Sequence, residues 1–155
     1  MDDAIFQEIA NELKGLNNQA AKLISQGKLS DAEALYNRAL DTNTKISYYD
    51  GMAMILFNLA NLEALRGDLL KAITYGALCK EMHQKAQTDT ELCDELLRKL
   101  ANATMKKGME LEKKGELTEA LEYYYASIPF ADEKYRRAML KEIELIERIT
   151  SNGSL

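Results

Sequence analysis

At 155 residues the chain has the length of a single domain, and its formal net charge of −5 leaves it without the basic balance that general nucleic-acid binding needs. Hydrophobic residues make up 46% and charged residues 29%, as in a soluble globular chain, and no apolar run approaches the length of a membrane span. Cys79 and Cys93 are too few for a disulfide framework, and the acidic start Met1-Asp2-Asp3-Ala4-Ile5-Phe6 does not resemble a secretory or transit peptide, so a reducing cytoplasm is the expected location.

Asp2 or Asp3 is placed to cap a first helix, in which Ile5, Phe6, Ile9, Leu13, Leu16, Ala20, Leu23 and Ile24 recur at helical spacing. Gly15 interrupts this run, but the corresponding helices further on are also long, so residues 3–26 are predicted as one helix. Residues 29–42 form its partner, and Asp41-Thr42-Asn43-Thr44 reads as a turn with capping chemistry. The second pair runs from Ile46 to Arg66 and from Leu69 to Ala86, closed by Gln87-Thr88-Asp89-Thr90. Asp89 or Thr90 can cap the next helix. The third pair covers residues 90–114 and 117–128, where Pro129 stops it. A last helix spans about residues 131–149, with Tyr135, Ala138, Met139, Ile143, Ile146 and Ile149 on one stripe and Arg136, Arg137, Lys141, Glu144 and Glu147 mostly facing away. Residues 151–155 read as a frayed tail, and no linker divides residues 1–150.

A skeleton recurs three times along this order. Gly27, Gly67 and Gly115 each follow a small residue by seven positions: Ala20, Ala60 and Gly108. Each precedes a leucine by two (Leu29, Leu69, Leu117), an alanine by five (Ala32, Ala72, Ala120) and a small residue by twelve (Ala39, Cys79, Ser127). Helices approach to about 8–10 Å only where side chains are short. Ala20 should therefore face Ala32, Ala60 should face Ala72, and Gly108 should face Ala120, each across a glycine suited to the left-handed end of a helix.

Carrying these residues, the chain resembles the tetratricopeptide-repeat (TPR) family. Ala20…Gly27…Ala32…Tyr36…Ala39 match in the first copy and Gly108…Gly115…Ala120…Tyr124 in the third. In the middle copy Ala60…Gly67…Ala72 fit, while Gly76 stands where the family prefers an aromatic. The phrase from Gln26 to Leu40 is most similar to the longer repeats of kinesin light chains. The glycines lie 40 and 48 residues apart (67 − 27 and 115 − 67), against a usual period of about 34, so the helices should be longer than standard. The resemblance implies an all-α, right-handed α-solenoid of three TPR-like hairpins (3–42, 46–86, 90–128) with a C-terminal capping helix, and a non-catalytic scaffold that binds a protein or peptide. A self-associating structural or regulatory subunit of a larger assembly is the alternative, so a homo-oligomer stays open.

By the family's register the first helices line a concave groove. They should present Asn17, Ala21 and Ile24, then Met54, Phe57, Asn58, Asn61 and Leu65, then Asn102, Met105, Lys106 and Met109. Some chaperone-binding relatives clamp a peptide's terminal carboxylate with lysine, asparagine and arginine. Asn58 and Lys106 match that clamp, but Asn17, Ala21 and Asn102 stand where its other members would be, so it is largely absent. What remains is rich in methionine, which adapts to varied apolar ligands, and in asparagine, which can pair with a ligand's backbone. An apolar or amphipathic helical segment is the expected ligand.

Little else suggests chemistry. No phosphate loop, nucleotide fingerprint or nucleophile elbow occurs, so neither catalysis nor a cofactor is expected. His83 is the only histidine. Cys79, four residues before it, is its nearest companion, short of the three or four ligands a zinc site needs, so no metal is expected. Cys79 falls on a small-residue packing position, which favours a buried, inert thiol. A regulatory disulfide with Cys93 would require a specific Cα separation and direction. The lysine pairs Lys106-Lys107 and Lys113-Lys114, and the cluster Lys134, Arg136, Arg137 and Lys141, read as solvated helix faces. In Tyr123-Tyr124-Tyr125, Tyr124 should pack inward as Tyr36 does.

Overall fold

Gly27, Gly67 and Gly115 end their helices in the left-handed region, with φ of 74°, 83° and 79°. At each, the amide of the residue after the glycine reaches back five positions: Lys28 to the Leu23 carbonyl, Asp68 to Glu63 and Glu116 to Leu111, at 2.9–3.0 Å. These are Schellman closures, which satisfy carbonyls the helix end leaves open. Two further turns close the same way without glycine. Tyr48 donates to the Asn43 carbonyl with Ser47 at φ 54°, and Thr88 donates to the His83 carbonyl with Gln87 at φ 58°.

The computed structural model describes residues 2–153. Among them seven α-helices follow one another: α1 (Asp3–Ser25), α2 (Leu29–Lys45), α3 (Tyr49–Arg66), α4 (Leu69–Ala86), α5 (Glu91–Lys113), α6 (Leu117–Ser127) and α7 (Glu133–Gly153). A 3-10 helix, Ile128–Phe130, separates α6 from α7, and no strand occurs among the described residues. Each helix packs chiefly on its neighbours in the chain, most extensively α3 on α4 and α5 on α6. The core is accordingly a succession of clusters. Leu13, Tyr36 and Leu59 anchor the one shared by α1, α2 and α3. Leu56, Cys79 and Met82 anchor the next, and Tyr124, Met139 and Ile146 the last, between α5, α6 and α7.

The small-residue skeleton is at the centre of these contacts. Ala20, Ala32, Ala60, Ala72 and Ala120 are all fully buried, as are Cys79 and Ser127. Tyr36 and Tyr124 are both buried beside them. The lack of a side chain at Gly76 lets α5 come close: a Cβ there would lie 2.8 Å from Leu97 Cδ2.

Several boundaries differ from the sequence reading. Residues 41–44 are helix, not turn. Thr42, Asn43 and Thr44 each hydrogen-bond the carbonyl four residues back, on Arg38, Ala39 and Leu40, so their polar groups are satisfied without leaving the helix. Ile46 therefore ends α2, and the next helix starts at Tyr49. Pro129 lies within the 3-10 turn. The last helix runs to Gly153, past the expected end at 149, with Thr150 Oγ1 bonded to the Ile146 carbonyl. Of the expected tail, Ser154 and Leu155 lie outside the described residues, as does Met1.

The stripe of α7 is also narrower than expected. Met139, Ile143 and Ile146 are buried, whereas Tyr135, Ala138 and Ile149 are exposed. Arg136 turns inward rather than away. Its guanidinium donates to the Ile128 and Ala131 carbonyls, each at 3.2 Å, and ties α7 to the 3-10 turn.

Candidate functional site

The residues assigned to the groove separate into several environments. On α1 and α3, Asn17 Nδ2 donates to Met54 Sδ at 2.9 Å, and Asn58 Nδ2 donates to Asn17 Oδ1 at 3.0 Å, so three of them form one linked group. Ile24 and Phe57 are half-buried and pack against the neighbouring core clusters. Ala21, Asn61, Leu65 and Lys106 are exposed, with Asn61 Nδ2 bonded back to the Phe57 carbonyl. Asn102 is half-buried, and its Oδ1 is buried without a hydrogen-bond partner.

Met105 and Met109 line a cavity of about 720 Å³ between α5, α6 and α7. Met139 and Tyr124 add to its apolar lining, and Lys113, Lys134, Arg137 and Lys141 stand around it. Two carboxylates, Glu112 and Glu142, complete the wall. Tyr124 donates its hydroxyl to Glu112 Oε2 at 2.6 Å. Burial, reinforced by this bond, pushes the Tyr124 hydroxyl well above the usual phenol range, so it stays a donor. Glu142 is raised above the ordinary carboxylate value, first by its hydrogen bond with Glu112, then by burial and by the Glu112 charge. Four cations against two carboxylates leave the surround of the cavity net positive.

Half of this cavity was missing from the sequence reading. Met105 and Met109 were assigned to the groove, but the opposing wall comes from α7, whose basic cluster read as a solvated face. The available signal was the spacing of Lys134, Arg137 and Lys141 at three and seven residues, which puts them on one side of a helix. Arg136 is the member that does not join them.

The inert-thiol reading of Cys79 is corrected. Cys79 and Cys93 are paired as a disulfide between α4 and α5, with Cα atoms 6.6 Å apart, and neither is free. The repeat pattern placed Cys79 at a helix contact correctly, but it carries no information on which residue of α5 crosses that point.

A second polar assembly is structural in its burial. Glu63, almost fully buried on α3, meets Arg66 at 3.1 Å and Lys71 at 3.5 Å. Glu33 of α2 pairs with both cations, and the Arg66 hydrogen bond is the main cause that lowers its carboxyl below the usual value.

None of the described helices is long and apolar enough to cross a membrane. No protein-family model matches the chain, and none of the curated proteins matches it significantly.

Proposed function

We propose that this chain is a non-catalytic TPR-like scaffold. Its three helical hairpins, α1/α2, α3/α4 and α5/α6, stack as a right-handed solenoid closed by α7, and the first-helix face holds an amphipathic helical segment of a partner protein. The observation that carries this reading is the cavity at Met105 and Met109. It offers an apolar, methionine-lined interior of a size common for ligand sites, surrounded by Lys113, Lys134, Arg137 and Lys141. That pairing favours an apolar helix face flanked by Asp or Glu, since complementary charge steers encounter and sets register.

Selection from a library of displayed helical peptides tests it. Binders should carry apolar residues at helical spacing with acidic flanks. Met109→Asp, at a position 45% exposed, should weaken them by at least about tenfold, or roughly 1.4 kcal/mol, with the melting temperature unchanged. A library that yields no such binder, or binding that survives Met109→Asp, would count against the reading.

Self-association is the second reading, and α7 supports it. Leu140, Leu145 and Ile149 are each about half exposed on this helix. Sedimentation over a range of concentrations separates the two, because a receptor stays monomeric while its groove is empty.

A further inference from the structure

Around the Cys79–Cys93 pair the fold gathers a third ligand-bearing side chain. The two sulfur atoms and a ring nitrogen of His83 all lie within 4.8 Å of one another. Cys79 and His83 stand one turn apart on α4, and Cys93 comes from the first turn of α5. Both cysteines are buried and His83 is half-buried. The imidazole is oriented from outside: His83 Nδ1 lies 2.8 Å from Thr88 Oγ1, which in turn reaches Asp50 Oδ1 at 3.3 Å. With Nδ1–H donating to Thr88 and Thr88 donating to Asp50, Nε2 carries the ring's free lone pair. An outer hydrogen bond of this kind fixes the tautomer of metal-bound histidines.

We propose that Cys79, His83 and Cys93 form a redox-gated zinc site at the junction of α4 and α5. Two thiolates and an imidazole suit Zn²⁺, whereas Ca²⁺ and Mg²⁺ take oxygen ligands. Tetrahedral coordination with Zn–S bonds of about 2.3 Å sets the sulfurs about 3.8 Å apart, a spread within the 4.8 Å the three donors already span. The 6.6 Å between Cα atoms is compatible with a disulfide, which spans about 4.4–6.8 Å, and leaves room for the sulfurs to part around an ion. The fourth position is left to water. Asp94, the nearest carboxylate in sequence to Cys93, is held by Lys80 at 2.7 Å.

The two states exchange by balanced steps. A dithiol reductant gives up two electrons and two protons to the Cys79–Cys93 bond, forming two thiols and its own disulfide. The thiols then bind Zn²⁺ and release two protons, while His83 keeps its Nδ1 proton. Hydrogen peroxide reverses this: with two protons it takes two electrons from the bound thiolates, gives two waters, re-forms the S–S bond and expels Zn²⁺. Access runs through the exposed turn at Gln87, Thr88 and Asp89, because helix ends open locally at little cost. This proposal does not rest on the groove reading.

The test uses the full chain, oxidised or reduced with a phosphine, titrated with Zn²⁺ against a chromophoric chelator and separately with Co²⁺. The reduced protein should bind one ion per chain, with the visible bands of a tetrahedral cobalt–thiolate centre, and the oxidised protein should bind none. His83→Ala keeps both cysteines, so its fold can be verified in the disulfide form. Once reduced, it should bind at least about a hundredfold more weakly, and Thr88→Val should show a smaller loss, within the roughly 10–100-fold range of outer-ligand substitutions. Equal binding by the oxidised and reduced chains, or by His83→Ala and the unaltered chain, would overturn the assignment.

Discussion

The ring of Tyr124 occupies the space a side chain on Gly108 would need: a Cβ there would lie 2.8 Å from Tyr124 Cε1 and 3.4 Å from the Ala120 carbonyl oxygen. This contact sets the Tyr124 ring directly on the α5 backbone, and the same tyrosine bonds Glu112 in the cavity.

Gly108→Ala should therefore destabilise the chain by about 1–3 kcal/mol through overpacking, despite alanine's better helix propensity. Gly15→Ala is the matched control. It lies in the middle of α1 with nothing within 4 Å of its Cβ position, so it should gain roughly 0.5–1 kcal/mol. Denaturant melts of both variants check this, and a gain at both positions would show that the close approach carries no energy.

The contrast between these glycines also shows what could be read in advance. Gly27, Gly67 and Gly115 announced their turns because a left-handed residue without a Cβ is unstrained, and the alanines at fixed offsets gave the contacting faces. Gln87 makes the same turn within the polar run 87–90 that signals it, whereas at Ser47 nothing in the residue type announces the turn, and the polar run 41–44 points instead to an end of α2 that is too early. The cavity was legible on its α5 side alone. Its second wall and the Cys79–Cys93 pairing depend on how one helix pair is placed on the next, and a pattern of local offsets does not encode that.

Those two strained turns give a second prediction. A non-glycine residue in the left-handed region costs about 1–2 kcal/mol, partly offset in glycine by the entropy it loses on folding. Ser47→Gly should thus raise stability by about 0.5–1 kcal/mol, read from the shift in denaturant midpoint at constant slope. Glycine at a residue inside α2, such as Asn37, should lower it.

The carboxyl pair in the cavity gives a pH dependence with a definite sign. Glu142 is raised in the folded chain, so the folded state holds a proton that the unfolded state releases at lower pH. Its contribution is neutral below the ordinary carboxylate value and becomes unfavourable as pH rises through the raised one. Glu142→Gln removes that loss. It should be more stable than the unaltered chain at pH 7, and the difference should shrink towards pH 4. Glu33 has the opposite sign: its carboxyl is lowered by Arg66, so its contribution is present at pH 7 and is lost as pH falls below about 4. Thermal melts of Glu142→Gln and Glu33→Gln across this range separate the two.

The proposal that the first-helix face is a receptor groove is tested most directly by methyl NMR of the methionines. A selected amphipathic peptide with acidic flanks, titrated into methyl-labelled protein, should shift Met105 and Met109 at the cavity, and Met54 where it is bonded to Asn17. Met82 of α4, buried in a cluster with residues of α3 and α5, should stay in place. Shifts that spare Met105 and Met109, or that follow protein concentration with no peptide present, would contradict the groove as the binding face.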